Sequence, residues 1–164
     1  MQHSSHERLP LLGAAACGII HAGFSLYWAL GGQSLIDTLG SDIADFFSTR
    51  QALLGAVGIV KIIAACAPLA LGIFEWPHPM VTRGFCWAGG GALVVWGGAN
   101  TVIGNAVLLG AGDDSRTVDR VAMAGHAWLW DPLFLLWGTL LLIALAVGVP
   151  RHSTRTRPRR KRQR

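Results

Sequence analysis

Residues 51–75, QALLGAVGIVKIIAACAPLALGIFE, carry a single charge, Lys61, before the run closes on Glu75. A hydrocarbon core about 30 Å thick takes roughly 20 apolar residues of helix to cross, so this stretch reads as a transmembrane span. A lysine near the middle costs about 2.5–3.5 kcal/mol on the insertion scale. The same stretch holds eleven Leu, Ile, Val and Phe residues, each favourable by about 0.3–0.6 kcal/mol, so insertion still wins. Pro68, seven residues on, removes a backbone donor and frees the carbonyl of Ala64. A kink and an intramembrane cation in one helix suggest a cavity wall. The plainer reading is that Lys61 snorkels or makes a structural ion pair.

Three further runs have spanning length: residues 9–32, 84–110 and 127–149. Lipid offers backbone groups no partners, so each run is expected to be helical. The chain is 52% hydrophobic and 14% charged, against about 25% charge in a typical soluble domain. This excludes a disordered chain, and three cysteines in 164 residues exclude a disulfide scaffold. The length leaves no room for a two-domain enzyme. The expected fold class is all-α, an integral membrane four-helix bundle over residues 1–150, followed by a basic tail at 151–164.

Charge sets the expected orientation. An even number of spans puts both termini on one side, with Arg8, Arg83 and the eight basic residues of the tail. The other side holds Arg50, Arg116 and Arg120 beside Asp37, Asp42, Asp45, Asp113, Asp114 and Asp119. By the positive-inside rule both termini are cytoplasmic, and the protein is expected in the plasma membrane. Arg8 before an apolar run, with Ala14-Ala15-Ala16-Cys17, has the look of a signal peptide. The run continues far past Cys17 to Tyr27-Trp28, which favours a retained first span.

Between the first two spans, Leu35, Leu39, Ile43, Phe46 and Phe47 recur at helical spacing, the pattern of a short helix lying on the membrane surface. Trp76-Pro77-His78-Pro79 is a proline-stiffened turn. In the third span Gly84, Gly91 and Gly98 recur every seven residues, and so do Gly90, Gly97 and Gly104. Bare stripes of this kind let helices approach closely, within the bundle or between protomers. Asn100 and Asn105 make the outward end of that face polar.

Other polar residues fall in the outer half. His21 matches the depth of Lys61, with Ser25 and Trp28 on its face and Tyr27 beside them. A lone histidine in a span is more often hydrogen-bonding glue than a ligand. Haem would need a second axial ligand at that depth, and His126 lies at the membrane edge. Asp131 before Pro132 reads as an N-cap at the start of the fourth helix. The sharper alternative continues the helix back to His126 and turns Asp131 toward Lys61. Trp128 and Trp130 join Tyr27 and Trp28 in an outer aromatic belt.

Cys17, Cys66 and Cys86 show no metal or redox spacing. No phosphate loop, nucleophile triad or zinc signature is present, so neither cofactor nor metal is expected. The tail, RHSTRTRPRRKRQR, is read as a topology signal that holds anionic lipid rather than nucleic acid.

Two motifs carry a resemblance. Tyr27-Trp28-Ala29-Leu30-Gly31-Gly32, preceded by His21, and Gly125-His126-Ala127-Trp128-Leu129-Trp130-Asp131-Pro132-Leu133-Phe134-Leu135-Leu136-Trp137-Gly138 resemble the domain-of-unknown-function family 3995. The resemblance implies a small, mostly actinobacterial membrane protein with about four spans, and no activity. It also implies a basic residue in the third span of relatives, where this chain has Trp96-Gly97-Gly98-Ala99.

The expected candidate pocket is His21, Tyr27, Trp28, Lys61, Asn100, Asn105, His126 and Asp131. Packing stripes and missing catalytic motifs favour a structural or accessory, non-enzymatic membrane component. A glycine-face homo-oligomer or larger assembly would suit that role. A small oligomeric transporter or ligand-binding protein using Lys61 and His21 is the second reading, and a membrane redox or haem protein the third.

Overall fold

A computed structural model describes residues 5–111 and 119–148; the basic tail lies outside them. The described residues are helical without a strand: α1 Ser5–Ala29, a 3-10 turn Ile36–Leu39, α2 Ser41–Ser48, α3 Gln51–Ile73, α4 Pro79–Leu108, α5 Arg120–Gly125 and α6 Asp131–Val147. A π-turn, His126–Trp130, joins α5 to α6. Four segments are long and apolar enough to cross a membrane: Arg8–Ala29, Gln51–Ile73, Pro79–Leu108 and Arg120–Val147. The chain is a multi-pass membrane protein.

The second span agrees closely with the sequence reading, and the others shift at their ends. The first stops at Ala29, where Gly31 turns the chain with φ 89°. The third starts at Pro79, because a proline at a first helical position carries no donor that the helix could use. The fourth starts at Arg120, capped by Asp119, whose carboxylate accepts from the Val121 and Ala122 amides.

The N-cap role expected of Asp131 is therefore corrected: it lies inside a continuous helical segment. The physical reason is Pro132. Its missing N–H and its ring preclude an α-bond to the carbonyl four residues back. The helix widens by one residue instead, and the Asp131 amide bonds to the His126 carbonyl. The surface helix is also corrected. Gly40, at φ 90°, breaks it into the 3-10 turn and α2. Phe47 tucks against Trp28, Leu54 and Trp130, while Phe46 stays about half exposed, 47%.

The spans stand side by side in the order α3, α1, α6, α4; α3 and α4, neighbours in sequence, do not pack along each other. Small residues let these helices meet. A Cβ on Gly18 would press into both Ala65 of α3 and Trp137 of α6, so α1 is wedged between them. The α4–α6 contact is backbone on backbone. A Cβ on Gly97 would lie 2.5 Å from the Asp131 carbonyl oxygen, and one on Gly138 would lie 2.6 Å from the Gly90 carbonyl oxygen. Of the two glycine stripes, Gly90, Gly97 and Gly104 are buried in this contact. Gly84 and Gly91 have no side-chain or backbone neighbour within 4 Å of where a Cβ would stand.

Outward faces are apolar, the reverse of a water-soluble bundle: Ile59, Val60 and Ile63 on α3, and Val95, Val102 and Ile103 on α4, are exposed. The core runs from Leu11, Ala14 and Cys17 through Ala65 to Trp137, Leu141, Ala144 and Leu145. At the end bearing the Trp76–Pro79 turn, Arg83 stacks over Trp76 at 5.1 Å and donates to the carbonyl of Leu145 in the last turn of α6.

Candidate functional site

The deepest polar contact joins α1 to α3. His21 and Ser25, one turn apart, share the face of α1 that meets α3, and Lys61 reaches both. Its Nζ donates to Ser25 Oγ at 3.0 Å and lies 3.2 Å from His21 Nδ1. Ser25 Oγ in turn donates to the His21 carbonyl at 3.4 Å. An ammonium has only protons to offer, so His21 Nδ1 accepts and a neutral imidazole carries its own proton on Nε2. That Nε2 is buried without a hydrogen-bond partner. The ring lies 4.0 Å from Phe134 and 5.7 Å from Trp130, between centroids.

Lys61 Nζ also stands 5.6 Å over the Phe134 ring, near enough for a cation–π attraction. Among the described residues no carboxylate lies within salt-bridge distance of it. The pairing of Lys61 with Asp131, weighed from the sequence, is therefore absent. The amine is held by one hydroxyl, one imidazole and one aromatic face, and no described carboxylate neutralises its positive charge.

Lys61 lines a largely apolar groove of about 730 Å³. The groove exists because α3 and α4 stand apart: Ala64, Pro68 and Leu71 form one wall, Cys86, Gly89 and Leu93 the other, and Phe134, Trp137 and Leu141 of α6 the floor. Ala64, whose carbonyl Pro68 leaves without its helical donor, lines it. Val60, Phe85 and Trp96, which border it, are exposed, so the groove lies open at the surface of the bundle.

A second polar group lies at the opposite end of the bundle from the Trp76–Pro79 turn. His126 Nδ1 is 3.1 Å from Asp131 Oδ2, across the π-turn. Asp131 is 2% exposed. Both line a cavity of about 340 Å³ with Asn100, Asp119, Met123 and Trp96. Trp96 borders this cavity and the groove alike.

The remaining expected residues are latches. Tyr27 donates to Ser34 Oγ at 3.1 Å and Trp28 Nε1 to the Ser34 carbonyl at 2.9 Å, pinning the chain as it leaves α1. Asn105 accepts from Trp128 Nε1 at 2.9 Å and donates to the Thr101 carbonyl at 2.7 Å, tying α4 to the π-turn. The candidate residues named from the sequence thus fall into two clusters and two latches. Phe134, Trp96 and Asp119 join the clusters without having been expected there, and Ser25, read as sharing the face of His21, joins them from outside the expected pocket. Ser25 had a signal, its position four residues after His21; the others had none.

The fold and its intramembrane polar groups define a four-span membrane protein with a lysine-headed lateral groove. The family model described as "Protein of unknown function (DUF3995)" matches residues 18–141, and the chain belongs to that family. No curated protein and no solved structure matches it.

Proposed function

We propose that this protein binds a single-chain amphiphile with a small anionic head, a long-chain carboxylate, in the groove between α3 and α4. The observation that carries this reading is Lys61, an ammonium without a counter-charge among the described residues, in a groove whose other lining residues are apolar except for Thr82. Lys61 is half-buried; a partly desolvated cation left unpaired is costly, and an anionic ligand group relieves that cost. Lys61 is the eleventh residue of the 23-residue α3, about 15 Å from its first residue and about 18 Å from its last. A bulky phosphodiester headgroup stays at the interface, whereas a carboxylate can descend to this depth when an ammonium meets it. The chain then lies along Ala64, Pro68 and Leu71, away from Lys61.

The test is native mass spectrometry of the protein in a maltoside detergent with oleate or oleyl alcohol added. Oleate is expected to remain bound, the alcohol to bind at least tenfold more weakly, and Lys61→Ala to abolish the difference. Equal retention of acid and alcohol, or of oleate by wild type and Lys61→Ala, would overturn the reading.

A specific observation favours a second reading, the structural or accessory role. The Gly84 and Gly91 stripe faces open space, and small residues on a span are a common means of helix association. A homo-oligomer or a larger assembly would use this stripe, while Gly90, Gly97 and Gly104 serve the fold. Crosslinking through cysteines placed at positions 84 and 91 distinguishes a docked stripe from a lipid-facing one.

The proposed setting is the plasma membrane with both termini cytoplasmic. Ten basic residues on the terminal side, eight of them in residues 151–164, support it. The same tail would attract anionic lipid.

A further inference from the structure

We infer that the His126–Asp131 cavity is a second site, separate from the groove, that takes an organic ammonium ion. Three features of the cavity carry this. Asp131 is a carboxylate 2% exposed, so its charge is almost stripped of water, and it still lines an open space of about 340 Å³. Among the described residues its one hydrogen-bond partner is His126, on Oδ2. Among the described residues no lysine or arginine lines the cavity. Besides His126, the described polar side chains there suit a cation: the Asp119 carboxylate, the Asn100 amide oxygen and the Trp96 indole face.

The chemistry selects an organic cation over a metal ion. No group of three His, Cys, Asp or Glu side chains able to hold a metal is found among the described residues. The volume is at the low end of small-molecule pockets and far exceeds that of a bare ion. Met123 and Trp96 supply apolar walls that a methylene or methyl group on nitrogen would fill. An ammonium donates to Asp131 in the place His126 now occupies. The His126 side chain is 34% exposed and can turn toward water without being stranded.

The π-turn makes this possible. One added residue per turn brings His126 and Asp131, five apart, to the same wall, where an α-helix would separate them. Asp119, which also lines the cavity, is exposed, which gives the cavity an approach from the polar end of the bundle.

Isothermal titration of the purified full chain in a maltoside detergent tests the inference. Ethylammonium and tetramethylammonium chloride would be compared with sodium chloride at constant ionic strength. Saturable binding of an ammonium in the millimolar range is expected, with sodium giving none. Asp131→Asn should weaken it tenfold or more and Trp96→Leu several-fold, whereas Lys61→Ala should leave it unchanged. Trp96 is 64% exposed, so that variant keeps the test open if Asp131→Asn fails to fold.

The ammonium could be free or part of a lipid headgroup, and native mass spectrometry separates the two. Preferential retention of an ethanolamine-headed over a glycerol-headed phospholipid, reversed by ethylammonium, assigns a headgroup. Ethylammonium binding without lipid preference assigns a water-soluble amine. Absence of binding by both ammonium ions together with absence of lipid preference would overturn the site, as would wild-type binding by both the Asp131 and Trp96 variants. Neither result bears on oleate in the groove.

Discussion

Lys61 Nζ lies 3.2 Å from His21 Nδ1, a cation held by a neutral acceptor inside the bundle. Such a contact satisfies a proton without offsetting a charge. A structural ion pair would have placed a carboxylate here, and the nearest expected one, Asp131, is engaged by His126 instead. The arrangement separates two roles that lysines in spans can play, and the first prediction uses that separation.

Lys61→Met removes the partly desolvated ammonium and fills its place with an apolar chain of similar length. Replacing a buried charge by a well-packed hydrophobe is often neutral or stabilising. The variant should unfold at or above the wild-type temperature in detergent while losing carboxylate retention. A marked drop in thermal stability would mean that Lys61 is chiefly a structural element.

The two glycine stripes should differ sharply in tolerance. Gly97→Ala places a methyl 2.5 Å from the Asp131 carbonyl oxygen and the Leu135 amide nitrogen, both rigid backbone. It should cost about 1–3 kcal/mol, the usual range for overpacking. Gly91→Ala meets nothing within 4 Å and should cost nothing, since alanine is the better helix former. Thermal or denaturant unfolding of the pair in the same detergent measures the contrast.

Trp130, 2% exposed, donates from Nε1 to Thr38 Oγ1 at 3.0 Å, docking the 3-10 turn on the π-turn. Trp130→Phe and Thr38→Val should each lose about 0.5–1.5 kcal/mol from this bond, beyond any packing loss in the tryptophan variant. The double variant should lose less than the sum. Strict additivity in the double-mutant cycle would show that the bond contributes nothing.

His126→Ala leaves the Asp131 carboxylate buried without its partner. A loss of about 1–3 kcal/mol is expected for an unsatisfied buried group. The loss should shrink when Asp131→Asn is also present, because the stranded charge is then gone. Unfolding of the two singles and the double in one detergent reads this directly; an unchanged loss in the Asn background would refute it.

The four spans were legible in the sequence, and so was the close-packing face. Whether a segment enters a membrane is close to a sum over its own residues, and residues 51–75 needed no partner for that reading. The Gly90, Gly97 and Gly104 spacing likewise announced close approach, though its neighbour Gly84 and Gly91 announced the same and is open. Spacing names a face but not what stands opposite. His21 and Lys61 were readable as equal in depth for the same reason: depth along a helix follows from counting residues.

What the sequence by itself determined, then, is local: helices, their lengths, the depth of each polar side chain. The tertiary structure alone decided which of them meet. The α3, α1, α6, α4 order brings Lys61 to His21 and Ser25 and parts α3 from α4 to open the groove. The π-turn adds one residue to a helical turn, rotating all that precedes it by roughly 100° against a 3.6-residue pattern. That rotation brings His126 round to Asp131. Rotation and neighbour order are properties of the packed bundle, since each depends on contacts between residues far apart in the chain.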